Sequence, residues 1–139
     1  MYWVSTAAAA TRTSYVPVAA DRGQQIRLRA TGTKAGYTPA VRYSTAKRPG
    51  YGVLANTPPR ITGTALVGRK MTADPGSWTP GTTVRYQCLR EVSIRITGAT
   101  SRTYVLRPAD RRKIVSVRVT GSKPGYRSVV NNSNVRPVK

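Results

Sequence analysis

Residues 14–37, SYVPVAADRGQQIRLRATGTKAGY, lie over residues 103–126, TYVLRPADRRKIVSVRVTGSKPGY, without a gap. Tyr15 meets Tyr104, Asp21 meets Asp110, Arg29 meets Arg118, and Gly36-Tyr37 meets Gly125-Tyr126. A phrase repeated at that length implies a repeated structural unit, and each copy must satisfy the same backbone. Each copy opens with a short β-branched and aromatic run (SYVPV, TYVL) read as a strand, followed by a corner that ends in Asp. A longer alternating strand comes next. Ile26, Leu28 and Ala30 take one face with Arg27 and Arg29 on the other; in the second copy Val115, Val117 and Val119 are apolar while Ser116 and Arg118 face water. TGTKAGY and TGSKPGY then read as hairpin connections in which Gly supplies the positive φ and Lys stays exposed.

The second copy is preceded by material that the first lacks. PPRITGTALVGRKMTADPGSWTPGTTVRYQCLREVSIRITGAT carries strands near 60–66, 69–74 and 83–90, separated by the turn chemistry of ADPGSW and TPGT. Through Lys139 this makes about seven short strands in some 80 residues, the pattern of a two-sheet antiparallel sandwich. Tyr86, Cys88, Leu106, Val115, Val117 and Val119 are its expected inward residues. Composition agrees with an all-β chain. Val, Thr, Tyr, Gly and Pro are plentiful, Phe is absent, and no long stretch repeats apolar residues at helical spacing.

The residues ITGTALVGRKMTADPGSW, YQCLR, ITGATSRTYVL and VSVRVTGSKPGY make residues 58–138 resemble the immunoglobulin-like repeats of actinobacterial secreted and surface proteins. The resemblance recurs over residues 12–46. It implies an immunoglobulin-like β-sandwich, an extracellular or cell-wall-associated location, and a role as spacer, adhesin or wall-binding module. Cys88 stands where that family carries Trp, Glu91-Val92-Ser93 where it has a tight Gly-containing turn, and Arg112 where it has the Gly seen at Gly23. Residues 1–46 then read as a partial repeat holding only C-terminal strands, with Tyr2-Trp3 as the stump of its central strand. Residues 47–57 read as a linker and 58–139 as a complete repeat. Either the reading frame starts inside a longer gene, or another protein chain completes the half unit.

Charge is the loudest compositional signal. Twenty-four Lys and Arg, 18 of them Arg, face four Asp and Glu, for a net charge of +20. Such a surface suits an anionic cell-wall polymer, an acidic glycan or nucleic acid, although Arg-rich coding would produce the same count. Arg27, Arg29, Lys34, Arg118, Lys123 and Arg127, at outward or hairpin positions of the two copies, are the candidate polyanion-binding residues. Trp78, after the Pro75-Gly76 turn, packs on the sandwich edge or offers a stacking surface to carbohydrate.

Chemistry is sparse. There is no His, the four acids (Asp21, Asp74, Glu91 and Asp110) suggest no paired carboxylates, and Cys88 has no second Cys to pair with. No catalytic set, metal site or cofactor is expected, so the chain reads as no enzyme. Asp21 and Asp110 are expected to accept backbone hydrogen bonds at their corners, and Cys88 to be a buried small residue. No run approaches the roughly 18 apolar residues of a membrane span, and MYWVSTAAAATRTS lacks the pattern of a signal peptide. That last feature keeps a second class open, an immunoglobulin-like protein of a phage capsid or tail. A non-specific nucleic-acid binder is a third class. Its charge fits, but no reading motif is present and aromatics are little interleaved with basic residues along any one strand.

Overall fold

The computed structural model describes the backbone of residues 2–4 and 9–139 and the side chains of residues 11–139. The chain divides into two compact units, residues 1–52 with 124–126, and residues 53–123 with 127–139. Both are built from antiparallel sheets.

The second unit has eight strands, one more than the sequence pattern suggested. They are β5 (Arg60–Gly63), β6 (Lys70–Asp74), β7 (Thr83–Arg90), β8 (Ile94–Arg95), β9 (Thr103–Val105), β10 (Ile114–Ser122), β11 (Val129–Asn132) and β12 (Arg136–Pro137). One sheet has the order β5-β6-β9; the other has β11-β10-β7-β8, with β12 also on β10. Alternation explains why they stack. Ile61, Met71, Ala73 and Tyr104 from the first sheet and Cys88, Val115, Val117 and Val119 from the second form one buried cluster, joined by Ile96, Ala99, Leu106 and Val138. Tyr86 is half-buried and packs against it. This arrangement is consistent with a β-sandwich.

Four residues depart from the alternating pattern or strain it. Ser116, expected on the wet face, is buried: it is a small side chain on a strand paired on both sides, opposite the buried Leu89. Glu91 and Val92 between β7 and β8 hold φ of 50° and 68°, and Arg112 after the corner holds 61°, left-handed values that favour Gly. Gly23, the first-copy counterpart of Arg112, sits at 74°. Residues 53–57, expected as linker, are tied down. The Thr57 amide donates to the Ser77 carbonyl (3.0 Å), the Thr79 amide to the Ala55 carbonyl (2.9 Å), and Leu54 is buried.

In the first unit β1 (Tyr2–Val4), β2 (Ala9–Ala10), β3 (Arg27–Gly32) and β4 (Ala40–Tyr43) form a sheet of order β2-β1-β3-β4. This reproduces β8-β7-β10-β11 pair by pair. Trp3 pairs with Leu28 as Cys88 pairs with Val117, its counterpart 89 residues on. Trp3 and Cys88 therefore hold the same register slot. SYVPV, expected as a strand, is not one. Its counterpart β9 is held by β6, and among the described residues the first unit has no strand corresponding to β6. Leu28 and Ala30 are accordingly half-buried, whereas Val117 and Val119 are fully buried.

Both corners survive as built objects. Asp21 and Asp110 each end a 3₁₀ turn and are buried. The Asp21 carboxylate accepts bonds from the Val18 amide (2.8 Å) and the Tyr15 hydroxyl (2.5 Å). Asp110 Oδ2 accepts them from the Arg107 amide (2.7 Å) and the Tyr104 hydroxyl (2.8 Å). Asp110 Oδ1 also takes Nε and Nη2 of Arg90, at 2.7 and 2.5 Å. Burial and the neighbouring carboxylate push the Tyr104 hydroxyl up to about 12, so it remains a donor throughout the physiological range.

Candidate polyanion-binding surface

Directly paired residues of an antiparallel ladder point to the same side, so the registers alone define the outer face of the β2-β1-β3-β4 sheet and of the β11-β10-β7-β8 sheet. In the second unit Gln87, Arg118 and Asn132 form one row across β7, β10 and β11. Arg85 (opposite Thr120) and Arg95 (opposite Leu89) lie in the rows to either side. Arg118 is half-buried and its Nε donates to Asn132 Oδ1 at 3.3 Å. The Gln87 amide reaches the Cys88 and Ile96 carbonyls, at 2.9 and 3.0 Å, which braces the sheet beneath the guanidinium.

In the first unit the equivalent row holds Arg29 on β3 and Tyr43 on β4. Arg27 lies one step along the same face, its guanidinium 4.2 Å from the centroid of the Tyr43 ring. Lys34 stands at the tip of the β3–β4 hairpin, its ammonium 4.8 Å from the centroid of Tyr37. Away from this row, Arg22 lies 4.3 Å over Tyr51. Such pairs hold a cation and an aromatic face together at the surface, each contributing about 0.5–1 kcal/mol at exposed sites.

The expected residues thus fall into sets. Arg27 and Arg29 share a face, with Lys34 on the adjoining hairpin. In the second unit only Arg118 lies on the sheet face. Lys123 and Arg127 belong to the β10–β11 connection, where Lys123 Nζ donates to the Pro80 carbonyl at 2.9 Å and Arg127 is exposed. Trp78 is half-buried against the core. Its Nε1 donates to the Pro75 carbonyl (2.9 Å), and a Cβ added to Gly121 would come within 2.2 Å of the ring. One face of the indole is therefore occupied by backbone, and its N–H is already used. Sequence reasoning missed Tyr43, Arg85 and Arg95. The signal for Tyr43 is not along a strand but across one, since Arg29 and Tyr43 are brought together by the hairpin register.

The electrostatics favour anions on these faces. Two of the four carboxylates, Asp21 and Asp110, are buried in the corners. Asp74 and Glu91 are exposed, and Asp74 Oδ1 already accepts the Gly76 amide. Few surface carboxylates thus compete for the basic side chains. Among the described residues no group of three or more His, Cys, Asp or Glu could hold a metal ion, and no helix is long and apolar enough to cross a membrane. A scan against protein-family models finds no match, and searches of curated proteins and of solved structures return no similar protein.

Proposed function

We propose that the chain is a non-catalytic, immunoglobulin-like module of a surface- or wall-associated protein, and that its basic sheet faces hold a polyanion. The strand order β5-β6-β9 against β11-β10-β7-β8 supports the immunoglobulin-like reading, since sandwiches of that class divide their strands in this manner. The observation that carries the function is the duplicated outer face. Arg29 and Arg118 occupy the same place in two sheets of the same order, while half of the carboxylates are buried. The ligand class is a sugar–phosphate or polyol–phosphate chain, which needs charge and spacing from the protein but no base-reading groups.

A base-free sugar–phosphate oligomer tests this. Its affinity should fall steeply with salt, with a log–log slope of about −0.7 per contacted phosphate on a flexible strand. Converting Arg29 and Arg118 together to Gln should flatten the slope by roughly one to two units, while Arg60 and Arg111 converted together to Gln should do less. Equal losses from the two pairs would mean a diffuse cationic coat without a site, and no binding at low salt would overturn the proposal.

A further inference from the structure

The two outer faces share their arginine but differ in what flanks it. In the second unit Arg118 lies between Gln87 and Asn132, both amides; in the first, Arg29 lies beside Tyr43. Tyr43 is 51% exposed, and the guanidinium of Arg27 stacks on its ring. Tyr37, on the hairpin leading into β4, is 68% exposed beside Lys34. A polyol–phosphate chain has no planar group to lay on an aromatic ring, and a sugar offers only its C–H face. Unpaired bases stack on one, because every base has a π-face, and a ring carrying a guanidinium extends the stacking platform while neutralising the adjacent phosphate. Duplex DNA does not fit. Its bases are stacked on each other, and its grooves admit a helix or a two-stranded ribbon rather than the face of a four-stranded sheet. A sheet face bearing exposed aromatics among basic residues suits a single strand laid across it.

We propose that the outer face of the first unit's sheet binds single-stranded nucleic acid, with a base stacked on Tyr43 and phosphates held by Arg27, Arg29 and Lys34. This rests on the polyanion reading above and adds the bases to it. The second unit, with amides in the same row, contributes phosphate contacts only.

The whole chain is titrated with fluorescent oligothymidylate and with the base-free oligomer of equal length, at matched low salt. Oligothymidylate should bind at least about fivefold more tightly, the lower end of what one stacked base contributes. Tyr43→Leu should remove that advantage without changing affinity for the base-free oligomer, and Tyr43→Phe should keep it. Asn132→Tyr, which places an aromatic beside Arg118 at the equivalent register, should increase the advantage, and it decides the matter if Tyr43→Leu does not fold. Equal affinity for both oligomers, with neither Tyr43→Leu nor Asn132→Tyr changing the ratio, overturns the base-stacking proposal and leaves the polyanion reading standing. Duplex bound as tightly as the single strand also overturns it. Binding of neither oligomer overturns both.

Discussion

Replacing Asp110 by Ala takes the acceptor away from three donors at once. Tyr104 is 6% exposed, so its hydroxyl would be stranded, at a cost of about 1–3 kcal/mol. The Arg107 amide loses its bond as well, and the Arg90 guanidinium, with 19% of its side chain accessible, keeps its charge while losing its counterion. Water reaches part of Arg90, which discounts that share. The total comes to about 3–5 kcal/mol, the range seen when one partner of a buried ion pair is removed. Against a domain stability of about 5–15 kcal/mol this is a large loss. At about 4–8 °C per kcal/mol for a unit of this size, the melting temperature should fall by at least about 12 °C. Trp78 fluorescence in a Trp3→Phe background follows the second unit alone. The acid limb gives an independent signature. Burial pushes the Asp110 carboxyl up, but the Arg107 amide, the Tyr104 hydroxyl and the Arg90 guanidinium outweigh burial and hold it below the ordinary carboxylate range. Its stabilisation is therefore present above the unfolded value of about 3.9 and is lost as pH falls through the lower folded value. Asp110→Asn should remove that component and leave a shallower loss of stability below about pH 4. A shift of only a few degrees together with an unchanged acid limb would refute this account of the corner.

Replacing Glu91-Val92 by Asn-Gly, residues suited to two successive positive φ values, should stabilise the second unit by roughly 1–2 kcal/mol in urea denaturation; a loss of stability would show that the turn is not strained. Gly121→Ala should destabilise by about 1–3 kcal/mol and alter Trp78 emission, because the new methyl meets the indole; unchanged emission and midpoint would mean that the ring does not rest on Gly121. Burial, with a smaller contribution from Asp110, pushes the Cys88 thiol up to about 11, so a maleimide at pH 8 should label it only after unfolding; labelling of the native protein at the unfolded rate would place it outside the core.

The long strand β10 was legible because its pattern is strict. Val115, Val117 and Val119 alternate with shorter or polar residues, and all three are fully buried. Ser116 was not legible, since its burial follows from its place opposite Leu89 on a strand paired at both edges. SYVPV has the composition of a strand and fails to be one for want of a neighbour, a property of the sheet rather than of the segment. Tyr2-Trp3 was legible as the central strand through the family resemblance, and not through direct alignment of the two copies, because their connections are unequal. Trp3 precedes its partner Leu28 by 25 residues, whereas Cys88 precedes Val117 by 29, so the gapless alignment does not extend back to the central strand. The candidate site was half legible. Its arginines follow from alternation within one strand, while Tyr43 enters through a pairing that only the hairpin register defines.

The Tyr–Asp corner is closed by residues six apart in both copies. Closing so short a loop costs little chain entropy, while pairing β7 with β10 must bring together residues from 25 (Arg90 and Val115) to 39 (Thr83 and Ser122) positions apart. The corner can therefore close early, ahead of the long-range ladder, and tether the next strand as it searches for its partner. It also explains how the first copy keeps the Tyr15–Asp21 bond although SYVPV forms no strand: a fastener made within seven residues does not depend on the rest of the garment.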